Sequence, residues 1–367
     1  MTSEAAFGAR LTIDVSALKR NYRSLCERAA PSDVGAAVKG NAYGCGVEHV
    51  VPALFDAGCR SFFVAQTVEG IAVRNILGEA KADIYILNGF NAAAAPLYVE
   101  NELTAVLGSN EELDAWRGLT ATKRPTFALH VDTGMNRLGL RFDEDSSIAD
   151  SANPKLLMTH MACADEPSHP LNALQIDRFN SLRKSHPGWR TSLANSATVL
   201  NGWATGYHLA RPGIALYGGG LGNGAENPME NVVTVEARVI QVRRVQEGEC
   251  VGYGATWTAS RESDIAIVSA GYADGYLRAS GNNTDEHQPF VAIRGMRYPL
   301  AGRVSMDLIA VDVTDADGSI KPGIWAELIG PNVHIDQVAK WANTIPYELL
   351  TRLGPRFNRR VIDSGSK

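Results

Sequence analysis

The chain has 367 residues, enough for two domains with a sizeable core, and is 45% hydrophobic and 20% charged, the profile of a globular protein. Its formal net charge is −5, with acids and bases interspersed and no Lys/Arg-rich run, which argues against a nucleic-acid partner. No apolar run is long enough to span a bilayer, so no membrane partner is expected.

The opening segment, MTSEAAFGARLTIDV, lacks a basic region followed by an apolar core, so no secretory signal is expected and the expected location is cytoplasmic. Up to about residue 230, short apolar runs alternate with helical patterns. Strands are expected at Gly35–Val38, Phe62–Ala65, Ile84–Leu87, Thr104–Leu107, Thr126–Val131, Leu156–Thr159, Thr191–Leu193 and His208–Arg211. Amphipathic helices are expected between them, among others at Val47–Ala57, Val68–Leu77, Glu111–Trp116 and Leu171–Ser185. Such alternation implies parallel strands with crossover helices, and this number of units predicts a closed, TIM-like (β/α)8 barrel. An open doubly wound sheet is the alternative, weakened because no GxGxxG turn follows the first strand.

Near Pro228 the pattern changes. Val232–Val245, Ile265–Ala270, Phe290–Arg294 and Arg303–Val313 alternate with a period of two, which reads as antiparallel β structure. The expected division is a barrel over residues 1–230 and a mostly-β domain over 231–367, with the glycine-rich stretch 218–224 as a flexible link. The five cysteines, Cys26, Cys45, Cys59, Cys163 and Cys250, are scattered without a CxxC pair. They read as free thiols in a reducing compartment, with no disulfide framework and no metal site.

Active-site groups of such barrels sit at the C-terminal ends of the strands, and the unusual polar residues of this chain fall there. Lys39 follows the first strand. Arg137 follows the fifth, His160 ends the sixth, Asn195 and Ser196 follow the seventh, and Arg211 closes the eighth. A lysine at the mouth of a buried strand either snorkels to solvent or is held neutral or covalently used. The second case makes Lys39 a candidate Schiff-base anchor for an aldehyde cofactor. A phosphate needs converging N–H and O–H donors, which the Ser196 hydroxyl and the backbone N–H groups of Gly213 and Ile214 supply. Taken singly, Ser196 reads equally well as a helix cap and Pro212-Gly213 as a turn. Taken with Lys39, they form the two ends of pyridoxal phosphate, aldehyde and phosphate.

The motifs VKGNAYG, HVDTGMNRLG, THMACADE, ANSATVL, ARPGIALYG, VGYGATW, AGYADG, GRVSMD and IPYE resemble those of the alanine racemases, pyridoxal-phosphate enzymes of fold type III, nearly end to end. The resemblance implies that the protein is an isomerase that interconverts L- and D-alanine, supplying D-alanine as a peptidoglycan precursor. Lys39 is implied to hold the cofactor and to act as one catalytic base, and Tyr253 to act as the opposing base. Two bases on opposite faces of the α-carbon invert it directly. His160 is implied to contact that tyrosine, and Arg211 to contact both the histidine and the pyridine nitrogen. An arginine cannot act as an acid there, so the nitrogen is expected to stay unprotonated. Tyr43, Ser196, Gly213, Ile214 and Tyr347 are implied to bind the phosphate. Arg137 and the Met306 N–H are implied to bind the substrate carboxylate. Tyr272 and Tyr347 are implied to narrow the entrance, with Asp165, Arg278 and Arg303 further out. Because Tyr253 and Met306 lie outside the barrel, the resemblance implies a head-to-tail homodimer with shared active sites.

Two positions depart from the family pattern. His130 stands where many members carry a carbamylated lysine that holds the substrate-binding arginine, so a carboxylate, a bound anion or His130 itself must orient Arg137. Cys45 replaces a histidine and reads as a small buried residue rather than a nucleophile. The competing readings are a racemase of broader substrate range, a fold-type III decarboxylase and a non-catalytic pyridoxal-phosphate protein. Arg211 disfavours the decarboxylase, and the second domain disfavours the binding protein.

Overall fold

The computed structural model describes residues 4–143, 153–221, 226–281, 288–316 and 318–363, which form two compact units. One holds residues 18–216. The other gathers residues 4–17, 217–221 and the described residues from 226 onward.

The first unit is a parallel barrel. Its strands are Asp33–Val34 with Ala36–Ala37, Ser61–Val64, Asp83–Ile86, Leu103–Leu107, Phe127–Asp132, Leu157–Met158, Thr191–Ser192 and Leu209–Ala210. Each pairs in parallel with the next from Ala36–Ala37 to Thr191–Ser192, through registers such as Phe62↔Ile84 and Ala105↔Phe127. Closure is made by backbone bonds on both sides of the last strand. His208 N donates to Thr191 O at 2.9 Å and Gly35 N donates to Ala210 O at 2.9 Å. The strands read as unbroken apolar runs because both faces are covered, one by the barrel interior and the other by helices. Ser61–Val64 and Leu103–Leu107 are buried at every position. Helices Val47–Asp56, Thr67–Leu77, Asn110–Arg117 and Pro170–Ser185 form where amphipathic helices are expected.

The second unit is built on the thirteen-residue strand Val233–Val245, whose first half alternates buried and part-exposed residues. That half pairs antiparallel with Ala9–Asp14 and with Trp325–Ile329. A register shift between Val239 and Gln241 then turns the second half onto Ser263–Val268, which pairs with Ile309–Asp312. Ala9–Asp14 also pairs in parallel with Asn358–Ile362. The opening strand therefore lies with the C-terminal sheet and not with the barrel, a correction to the linear division. Its alternating ARLTID pattern suits a half-buried antiparallel sheet and not a barrel strand.

Two further expectations change. Only Ile309–Asp312 of the expected strand Arg303–Val313 is extended. At residues 305–308 the backbone turns, with Ser305 N and Oγ both donating to Leu308 O. Within the glycine-rich stretch, Gly218 and Gly220 are hydrogen-bonded. Both Asp336 carboxylate oxygens accept from Gly220 N, and Asn227 Nδ2 donates to Gly218 O. Residues 222–224 of that stretch lie outside the described residues. Among the described residues, no helix is long and apolar enough to cross a membrane, and no cluster of three or more potential metal-binding side chains occurs. All five cysteines are free.

Candidate active site

The first barrel strand delivers Lys39 into a turn of unusual hand. Gly40, Asn41, Ala42 and Tyr43 have φ between 53° and 63°, followed by Gly44 at 82°. Such conformations place Cβ close to the next carbonyl and cost about 1–2 kcal/mol for each non-glycine residue. Glu69 anchors the turn. Its Oε1 accepts from Gly40 N at 2.6 Å, and its Oε2 accepts from Ala65 N and Gln66 N at the end of the second strand. The Lys39 side chain reaches solvent at the barrel mouth, yet the protein around it strips enough hydration to lower its pKa. The Arg137 charge adds to that lowering and Glu69 opposes it.

Past the turn, the Tyr43 hydroxyl lies so close to Gly213 that a Cβ there would sit 2.2 Å from it. The Ser196 hydroxyl accepts from Gly213 N at 2.9 Å and from Ala215 N at 3.3 Å. Ser196 is not the cap of its helix. Asn195 is, with Oδ1 accepting from Thr198 N at 3.0 Å. Tyr43, Ser196, Gly213 and the buried Ile214 thus converge at the ends of the first, seventh and eighth strands.

Arg211 is 6% exposed and, among the described residues, pairs with no carboxylate. Its guanidinium donates to Ser192 Oγ, to Thr159 O at 2.7 Å, and approaches His160 Nδ1 at 3.5 Å. Burial lowers its pKa to about 10, so it stays charged at neutral pH. Burial, with the Arg211 and Arg137 charges next, drives the His160 pKa well below its usual value. The same causes lower His130 to about 4, against the pull of Asp132. Both histidines are neutral at pH 7.

Arg137 projects from a loop built by Asp132, whose carboxylate accepts from Gly134 N, Met135 N and Asn136 N at 2.7–2.8 Å. Among the described residues, neither a carboxylate nor His130 bonds the Arg137 side chain. Lys39, Arg137 and Arg211 therefore concentrate positive charge at one end of the barrel, with Glu69 and Asp132 turned onto backbone amides.

Apart from Asp165, the remaining expected residues lie in the second unit. Tyr253 is 73% exposed on a turn where Gly252, Gly254 and Ala255 all have positive φ, and the Arg303 side chain lies over that turn. Tyr272 and Met306 occupy adjacent turns, and Tyr347 opens helix Pro346–Arg352. All four are exposed apolar or aromatic side chains. Arg278 begins a short 3-10 turn, and Asp165 is exposed on the loop after the sixth barrel strand.

Sequence reasoning passed over Glu69, Asp132 and Gln175. The first two had local signals: Glu69 stands three residues past Gln66 at a helix start, and Asp132 opens a D-x-G turn. Gln175 had none, because a glutamine inside a helix reads as solvent-facing.

Comparison with known proteins accounts for both units. A family model described as the N-terminal domain of alanine racemase matches residues 13–220, and its C-terminal counterpart matches residues 232–361. The alanine racemase of Methylobacterium nodulans is 43% identical over 100% of this chain and 99% of its own length. That of Acidiphilium cryptum is 44% identical over 96% of this chain and 98% of its own. A crystal structure of alanine racemase from Bartonella henselae, with covalently bound pyridoxal phosphate, matches with a TM-score of 0.88 at 38% identity, over 97% of this chain and 99% of that one. Matched in both halves and along its whole length, the chain belongs to the alanine racemase family.

Proposed function

We propose that this protein is an isomerase that interconverts L- and D-alanine with pyridoxal phosphate as cofactor and so supplies D-alanine. The observation that carries the reading is the convergence at one barrel end. A lysine of lowered pKa, the clustered Ser196, Gly213 and Tyr43, and a buried arginine that pairs, among the described residues, with no carboxylate meet there. The donor set suits the group, since N–H and O–H donors match a phosphate dianion and an amine of lowered pKa matches an aldehyde.

In this reading Lys39 binds the aldehyde. Tyr43, Ser196, Gly213, Ile214 and Tyr347 hold the phosphate, and Arg211 faces the pyridine nitrogen. When bound, the cofactor supplies the carbonyl that captures the substrate amine and an aromatic ring that draws electrons from the α-carbon. The chain supplies the rest. Arg137 and the Met306 N–H fix the substrate carboxylate. Lys39 Nζ and the Tyr253 hydroxyl hold and deliver protons on opposite faces of the α-carbon. His160, kept neutral, accepts from Arg211 and leaves its other nitrogen for the phenol. Tyr272 restricts the entrance to a small side chain.

We further propose that the barrel binds the cofactor while residues 231–367 complete the site of a partner copy, giving a homodimer. The exposure of Tyr253, Tyr272, Met306 and Tyr347 supports this. Five free cysteines support a cytoplasmic location.

The test is polarimetry of L-alanine with the protein purified in pyridoxal phosphate. The expected result is loss of rotation with exchange of the α-hydrogen and no ammonia, pyruvate or carbon dioxide. Carbon dioxide release or unchanged rotation overturns the reading.

A further inference from the structure

We infer that Arg356 is a positioning residue for substrate binding, because its guanidinium locks the turn carrying Tyr272 to the turn carrying Met306. The inference rests on the proposed role of those two residues at the substrate.

Asp274 closes the Tyr272 turn and is 3% exposed. Its carboxylate receives Arg356 Nε at 2.8 Å and Nη2 at 3.0 Å, the two-pronged geometry that makes a charge-assisted pair directional. The same carboxylate accepts from Gly271 N at 2.9 Å. The remaining prong of Arg356, Nη1, donates to Asp307 Oδ1 at 2.7 Å, one residue beyond Met306. One guanidinium thus spans both turns.

The backbones beneath it are already in contact. Tyr272 N donates to Ser305 O at 3.1 Å, Ala273 N to Met306 O at 3.0 Å, and Gly354 N to Asp274 O at 2.9 Å. Two glycines permit this approach. A Cβ on Gly271 would sit 2.2 Å from Ser305 O and 2.4 Å from Met306 O, and one on Gly275, at φ 101°, would sit 2.1 Å from Arg352 O. Three chain segments, 271–275, 305–307 and 352–356, therefore approach backbone to backbone at these two glycines. The Met306 N–H can point in a fixed direction only if this stack does not slide.

The arm to Asp307 is not there for overall stability. Arg356 is 47% exposed and Asp307 53%, and an ion pair that open to water contributes little to folding. Its effect is on geometry, and it falls on the residue next to the one that presents the N–H.

The test uses Arg356→Lys, which keeps the charge but cannot span both turns, and Asp307→Asn, which leaves the buried pair intact and so protects the fold. Both variants and the parent are measured as full-length protein by hydrogen–deuterium exchange and by alanine racemisation. Loss of a carboxylate contact made equally in ground and transition states raises KM, so KM for alanine is expected to rise about fivefold or more with kcat within about twofold. The Tyr272 and Ala273 amides are expected to exchange at least about tenfold faster in Arg356→Lys, while strand Ser263–Val268 is unchanged. Unchanged KM in both variants, or faster exchange spread through the whole sheet, overturns the inference. A parent protein without racemase activity instead overturns the proposed function, and the exchange data still judge the clamp.

Discussion

His130 is a buried titratable ring on which two guanidinium charges also act. Its pKa falls from the usual 6.5 to about 4, so between those values the unfolded chain binds a proton that the folded chain refuses. Stability is then full above pH 6.5 and declines as pH falls toward 4, by up to about 3 kcal/mol from this residue. His160 acts in the same direction. Urea unfolding at pH 7 and pH 4.5 is expected to show His130→Asn losing about 2–3 kcal/mol less across that interval than the parent. Equal losses would remove His130 as the cause. Gly213 is the other residue whose chemistry is set by its neighbours. With a Cβ 2.2 Å from the Tyr43 hydroxyl, Gly213→Ala must push that ring aside. Cofactor affinity, titrated by absorbance, is expected to fall at least about tenfold, or about 1.4 kcal/mol, with an unaltered far-ultraviolet spectrum. Unchanged affinity would show that Tyr43 does not face the phosphate.

Among the elements, helix Pro170–Ser185 departs most from its appearance in sequence. Its core face carries Asn172 and Gln175 as well as Phe179, all buried. Gln175 is 0% exposed and bonds through both ends of its amide: Oε1 accepts from Ala162 N at 2.9 Å, and Nε2 donates to His160 O and to Thr133 Oγ1. Asn172 donates to Cys163 O and Glu166 O, and Arg178 Nη1 donates to Thr133 O. One helix face therefore braces the ends of the fifth and sixth barrel strands, which carry Arg137 and His160. Gln175→Leu leaves several polar groups buried without partners, at about 1–3 kcal/mol for each group that water cannot reach. The expected loss in denaturant stability is about 3 kcal/mol, against about 1 kcal/mol for an ordinary polar-to-apolar helix substitution. A loss below about 1 kcal/mol would mean that the backbone finds other partners.

At the scale of the whole molecule, the two proposed bases, Lys39 and Tyr253, belong to different compact units, and the Tyr253 phenol is exposed where it stands. If one isologous interface builds two composite sites, variants that each lack one base can repair each other. Lys39→Ala and Tyr253→Phe are each expected to be inactive by more than about a hundredfold. Mixed after unfolding and refolding together, they are expected to regain about a quarter of parent activity, because half of the random dimers carry one intact site. No recovery in a mixture shown to exchange subunits, or full activity in a demonstrated monomer, would exclude shared sites.

Strand–helix alternation in the first two hundred residues, and the period-two alternation after Pro228, are local properties of the chain. They placed the eight barrel strands and the C-terminal β structure, because burial on both faces or on one face leaves its mark residue by residue. The placement of Lys39, Arg137, His160, Ser196 and Arg211 at or just past the strand ends was legible for the same reason, since strand ends can be counted. What folding alone decided depends on partners far apart in sequence. The opening strand joins the C-terminal sheet through Leu11↔Val235, a pairing no local pattern encodes. Residues 303–308 turn instead of extending, because Ser305 closes on Leu308. The supports of the site, Glu69, Gln175 and Arg356, look like surface residues in sequence. They take their roles from partners 13 to 82 positions away: the Gly40 N–H for Glu69, the Ala162 N–H and His160 O for Gln175, and the Asp274 and Asp307 carboxylates for Arg356.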